Sequence, residues 1–203
     1  MTQPDEERRE RENLVVSQSG GILPMCEAFY IEALGYCAGR ARSAFLRFDQ
    51  TLTDAEDQAA TVATAHEALT HVAALSRYFW PASKKPLHLA RAMKLREALG
   101  IDDASPLADR GLRNALEHFD ERLDTFLLQD PVGYMFPGPL VGEASLNDDA
   151  LGHLFRLVDP DSQVFVLLGE RYEFGPMRDA VDDIVEKLAR TAGGRLPPKA
   201  CGG

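Results

Sequence analysis

Cysteine is scarce in this chain, with three among 203 residues: Cys26, Cys37 and Cys201. The count is odd and no CxxC or Cys/His cluster accompanies it, so neither a disulfide framework nor a metal site is expected. Cys26 and Cys37 are eleven positions apart, on one side of a helix, where free cysteines usually serve as small buried residues. Long apolar runs are missing too. No stretch approaches the roughly 18 consecutive apolar residues that a membrane span requires. The opening run MTQPDEERRERENLVV interleaves acids and bases, where a signal peptide needs a basic start and an apolar core. Together these absences predict a soluble, cytoplasmic protein with no membrane partner. Positive charge is in deficit as well: 22 Lys+Arg stand against 32 Asp+Glu, a net charge of −10. That balance weighs against broad phosphate neutralisation as a way of holding nucleic acid, and is compatible with a small local RNA site. No P-loop, GxSxG elbow or dinucleotide fingerprint is present, so no cofactor is expected.

What the chain does have is helical periodicity. Residues up to Ser19 are polar and poor in aromatics and read as a disordered arm. From Ile22 to Phe48, Cys26, Phe29, Ala33, Cys37, Ala41, Ala44, Phe45 and Phe48 keep helical spacing. Thr53-Asp54-Ala55-Glu56 reads as a capping box that opens a second helix. That helix carries Val62, Leu69, Val72, Ser76 and Phe79 on one face and stops at Pro81. Two long helices with a short connection pack antiparallel. A shorter helix spans Leu87 to Leu99, with Gly100 as its stop. Ser105-Pro106 then starts a fourth, reaching Leu128, whose buried stripe is Leu112, Ala115, Leu116, Phe119, Leu123, Phe126 and Leu127.

Beyond Asp130 the character changes. Pro131, Gly133, Pro137, Gly138 and Pro139 predict a loop. His153–Val158 and Gln163–Leu168 flank the turn residues Asp159-Pro160-Asp161-Ser162, a β-hairpin pattern, and Arg171–Phe174 is a candidate third strand. A last helix runs from Pro176 to Ala192, and the tail that follows is expected to be disordered. The predicted organisation is a disordered arm over 1–19, a helical bundle over 20–130, a hairpin and final helix packed on it over 131–192, and a tail over 193–203. The fold class is mainly α, an antiparallel helical bundle with a small C-terminal antiparallel sheet and a final helix.

The segment that points to chemistry is Arg110 to Asp124. On a helical wheel Arg110, Asn114, Glu117, His118 and Glu121 lie opposite the apolar stripe, with Arg113 at its border. Asn114 and His118 are one turn apart. Proton transfer beside a phosphate needs a group that takes up and releases protons and a group that stabilises the phosphate. Histidine does the first kind of work near neutral pH, and arginine clasps phosphate oxygens in pairs. Glu117, Asp120 and Glu121 crowd the same face and repel a phosphate chain. A bland alternative is a solvated face of ion pairs among Arg110, Glu117, Glu121 and Arg122.

This stretch resembles the signature of the HEPN superfamily: an arginine, a polar residue, and a histidine four to six positions past the arginine. Here these are Arg113, Asn114 and His118. Leu112–Asp124, preceded by Arg91–Asp102, is similar to a bacterial group of uncharacterised HEPN-like proteins, over Ile22 to Leu128. The resemblance implies a bundle of long antiparallel helices and a homodimer in which two motif helices line one cleft. It also implies a metal-independent endoribonuclease with RNA as substrate, in which a proton is removed from the 2′-hydroxyl and one is delivered to the leaving 5′-oxygen, acting as a toxin or defence effector held by a protein partner or antitoxin. The alternative from a different class is a catalytically silent protein of the same fold that works by dimerisation or partner binding.

Other candidates are weaker. His66 and His71 lack a carboxylate or cysteine at metal-site spacing. Arg77, Trp80, Lys84 and Lys85 form a small basic-aromatic patch at a helix end, where cations are favoured anyway.

Overall fold

The structure, a computed structural model, describes residues 3–53, 57–128, 135–145, 152–191 and 195–196. Two helices make the heart of the core, α2 (Glu27–Thr51) and α3 (Gln58–Phe79). Their facing stripes are rich in alanine: Ala38, Ala41 and Ala44 on α2, and Ala65, Ala68 and Ala73 on α3, all buried. Small side chains let the backbones approach, and Leu34, Phe45, Phe48, Leu69, Leu75 and Phe79 fill the remaining space. The pairing is antiparallel. The Thr61 hydroxyl reaches Thr51 O at the connected ends, Arg40 and Arg47 both bind Glu67 midway, and Cys37 shares a cavity with Ala74 and Tyr78 further along.

Helix α3 begins where Asp57 Oδ1 accepts the Ala60 N–H at 2.8 Å. The expected capping box falls partly on 54–56, outside the described residues. Its Thr53 hydroxyl instead donates back to Gln50 O, closing α2. Helix α4 (Pro86–Leu99) ends as expected at Gly100, whose φ of 58° suits the left-handed stop.

The expected disordered arm is instead a helix, α1 (Gln3–Ser19). Exposed pairs such as Arg8–Glu12 support it only weakly. Its C-terminal end is tied down more firmly, because Lys94 Nζ donates to Ser19 O at 3.2 Å and to Ile22 O at 2.9 Å. Gly21 makes the turn at φ 90°, so close to α4 that a Cβ there would lie 2.8 Å from the Ala90 carbonyl carbon. Polarity hid this docking, because the tie is one lysine from a distant helix. The tail is also held where it is described: Leu196 is buried and its N–H donates to Glu27 Oε2 at 3.1 Å.

The fourth expected helix is broken into three pieces. A 3-10 turn, Pro106–Ala108, is capped by the Ser105 hydroxyl. Then come α5 (Gly111–Glu117) and α6 (Phe119–Leu127), separated at His118. The break has a packing cause. Leu112 and Ala115 seat α5 in the bundle core. Phe119 instead turns toward the sheet, its ring 5.9 Å from Phe155 and 5.3 Å from the Arg156 guanidinium. Arg122 adds an ion pair to Glu170 at 2.7 Å. One straight helix cannot serve both surfaces. The predicted stripe therefore fails at its end, and Leu127 is 56% exposed.

The sheet has four strands in the order β1 (Phe136–Val141), β2 (Leu154–Asp159), β3 (Val164–Leu167) and β4 (Glu170–Glu173). The hairpin β2–β3 and the third strand β4 are antiparallel as expected. Leu168 and Gly169, both at positive φ, form the two-residue β3–β4 turn. Strand β1 was expected to be loop, and it pairs parallel to β2. Its prolines are tolerated because of register. Gly142 N–H bonds to β2, so Pro139 occupies a position facing away, and Pro137 falls in the register shift between Phe136 and Pro139, where the regular ladder is interrupted. Val141 N–H, on that same outer edge, is taken by Gln58 Oε1. The edge is thereby blunted against strand addition.

The turn after β2 is organised by Asp159, which is buried and accepts the N–H groups of Ala144, Asp161 and Ser162. Burial alone would raise its carboxyl pKa. The backbone donors of Ala144, Ser162 and Asp161 and the Ser162 hydroxyl outweigh it and hold the pKa below the ordinary aspartate value of 3.8. A depressed folded pKa stabilises fully above the unfolded value, and the contribution is lost as pH falls through the folded one. Unfolding free energy measured against pH should therefore drop below pH 3.8 more steeply in wild type than in Asp159→Asn. Superimposable acid limbs would show that Asp159 does not supply this term.

Helix α7 (Gly175–Ala189) closes the fold against α2. Arg178 binds both Asp49 oxygens, at 2.8 and 2.5 Å. Phe174 at its start stacks on Phe45 at 5.9 Å and meets Phe48 edge-on at 5.6 Å. Bundle, sheet and α7 share one core cluster, so the two predicted units pack as one body.

Candidate functional site

The motif residues sit on α5 and at the α5–α6 break. Arg113, expected at the border of the apolar stripe, is 3% exposed. Its Nη1 donates to Trp80 O at 2.7 Å, a carbonyl that follows the last turn of α3. Its Nε makes no hydrogen bond and has Glu117 Oε1 at 3.9 Å. Glu117 in turn pairs with Arg77 of α3. The guanidinium is therefore a tie between α5 and the end of α3. Burial lowers its pKa; Glu117 acts the other way, and the charges of Arg110 and Arg77 add to the lowering.

Asn114 and His118 do face outward. Asn114 is exposed, and the His118 side chain is 57% exposed with Nδ1 3.7 Å from Glu121 Oε2. The bond that links Asn114 and His118 is backbone to backbone, His118 N–H to Asn114 O at 3.0 Å. The three motif residues are thus divided. Arg113 points into the protein, whereas Asn114 and His118 lie at the surface. The arginine exposed beside them is Arg110, one turn before Asn114.

Sequence reasoning missed the partners that fix Arg113: the Trp80 carbonyl, Glu117 and Arg77. A helical wheel places Arg113 beside the apolar stripe, but the distant carbonyl that draws it inward has no sequence signal. The basic-aromatic patch also dissolves on inspection. Trp80 is buried, its indole N–H donates to Asp103 Oδ1 at 3.3 Å, and the Arg96 guanidinium lies 5.5 Å from its ring. Arg77 is committed to Glu117, leaving Lys84 and Lys85 exposed at the helix junction.

His66 and His71 are structural in setting. His66 packs on Phe165 at 5.8 Å, and burial followed by the charge of Arg156 lowers its pKa. His71 lies 4.0 Å from Glu67, and its pKa is likewise lowered, chiefly by burial. No group of three potential metal ligands occurs among the described residues. Cys37 is buried in α2, while Cys26 is half-buried in the 3-10 turn before it; both are free. No single helix among the described residues is long and apolar enough to cross a membrane.

No known protein family, curated protein or solved structure matches this chain.

Proposed function

We propose that this chain is a HEPN-like helical protein that acts by dimerisation or partner binding, and that its motif is catalytically silent. The observation that supports this reading is the commitment of Arg113: a guanidinium 3% exposed and bonded to Trp80 O cannot reach a phosphate without undoing the α3–α5 junction. Glu117 beside it would repel RNA, and so would Asp120 and Glu121 on the next turn.

The second reading is a metal-independent endoribonuclease, a toxin or defence effector, that uses 2′-hydroxyl attack on RNA. It is favoured by the exposure of His118 at a helix break, with Asn114 and Arg110 on the same outer surface. The two readings separate in one assay. Purified protein with single-stranded RNA in EDTA should leave the RNA intact, and His118→Ala should behave identically. Fragments ending in 2′,3′-cyclic phosphate that disappear in His118→Ala would replace the first reading with the second. The expected loss in that case is on the order of a hundredfold or more.

A further inference from the structure

The outer face of α2 carries the largest exposed aromatics among the described residues, and they are aligned. Met25 just before the helix is 81% exposed, Phe29 75% and Tyr36 62%. At 100° per residue, Met25, Phe29, Glu32, Tyr36, Arg40 and Ser43 fall on one stripe. Helix α7 covers another side of α2 through Arg42–Asp182 and Arg178–Asp49, and α3 reaches only the C-terminal part of the stripe, where Glu67 binds Arg40 and Arg47. Met25, Phe29 and Tyr36 are left open. Scattered surface apolar residues need no explanation, but aromatics repeated on one ridge do.

We infer that this stripe is a homodimer interface, in which α2 packs antiparallel on α2 of a second copy about a twofold axis at Tyr36. Two observations favour a second copy as the occupant. The first is charge. An antiparallel pairing centred on Tyr36 sets position n against position 72 − n, so Glu32 faces the partner's Arg40. Glu32 is exposed and has no ion-pair partner among the described residues. Arg40 is held to Glu67 by one nitrogen at 3.0 Å, and its side chain remains 46% exposed. The second is shape. The same register sets Phe29 against the partner's Ser43, with Gly39 alongside. A Cβ at Gly39 would meet nothing within 4 Å, so the surface there is open to a large ring. Around the twofold axis each pairing is made twice, as in any isologous interface.

The size of the patch sets the strength. With 75% and 62% of their surface free, Phe29 and Tyr36 would each bury on the order of 100–150 Å², a sizeable share of the ~800 Å² per partner of a standard interface. A reversible dimer at micromolar concentration fits that area. The inference gives the binding reading above a surface and a partner, and rests on that reading only for its biological use.

Sedimentation velocity of the full chain at micromolar concentration tests it. Wild type should sediment as a species of twice the 22.4 kDa chain mass. Tyr36→Asp and Phe29→Asp should weaken association tenfold or more while leaving the circular dichroism spectrum unchanged, since both side chains are exposed. Glu32→Arg should weaken it, and adding Arg40→Glu should restore it, because only the antiparallel register brings these two positions together. A monomeric wild type, a Tyr36→Asp variant that dimerises like wild type, or a double variant that is not rescued would each overturn the interface. A monomer would leave the binding reading standing with a different partner. RNA cleavage would remove that reading without touching the dimer.

Discussion

Lys94→Met is expected to lower the free energy of unfolding by about 3–5 kcal/mol, the cost of leaving a buried carboxylate without its counter-charge. The carboxylate is Glu27, whose side chain is 11% exposed and whose Oε1 lies 2.8 Å from Lys94 Nζ. The same ammonium holds Ser19 O and Ile22 O, and the other Glu27 oxygen holds Leu196 N–H. One lysine thus joins the end of α1, the start of α2 and the described part of the tail to α4. Methionine keeps the apolar stem and removes all three donors. Glu27→Gln in the same chain should recover part of the loss, because the uncompensated charge disappears with it. Urea unfolding of the single and double variants measures this. A loss below about 1 kcal/mol in Lys94→Met would place the pair among ordinary surface ion pairs.

Arg113→Ala is expected to cost about 3 kcal/mol, combining an unsatisfied buried carbonyl at Trp80 with the space left by the side chain. Arg113→Met should cost less, about 1–3 kcal/mol, since it preserves packing and loses the hydrogen bond. His118→Ala should stay within about 0.5 kcal/mol of wild type, as surface substitutions usually do. This contrast bears on function. A residue kept for phosphate chemistry tends to be dispensable for folding, and the structure gives Arg113 the opposite character.

Much of the fold was legible because periodicity and punctuation agree with it. Val62, Leu69, Val72, Ser76 and Phe79 are buried on α3 as their spacing predicts, and Gly100 ends α4. The turn residues 159–162 and the strands beside them also declared themselves. What failed did so for non-local reasons. The N-terminal helix depends on Lys94, some 75 positions away. Strand β1 is disguised by prolines whose register makes them harmless. Phe29, placed on a buried face by its spacing, is exposed because α2 has neighbours on other sides only. At the candidate site, the outward placement of Asn114 and His118 followed from the helical wheel. The break at His118 did not, because it arises where α5 follows the bundle and Phe119 follows the sheet. The inward turn of Arg113 was invisible for the same kind of reason: its acceptor is a backbone carbonyl 33 positions earlier.

Trp80 is the only tryptophan in the chain, and it is the residue whose carbonyl Arg113 holds, so its fluorescence reports on the junction directly. Denaturant unfolding of wild type and Arg113→Ala, followed by this fluorescence, shows whether Arg113 is a structural tie. Arg113→Ala should show a clearly lower midpoint, a loss of about 3 kcal/mol. Its folded state should also show an altered Trp80 emission. An unchanged midpoint and an unchanged folded spectrum would contradict this and return Arg113 to the catalytic reading.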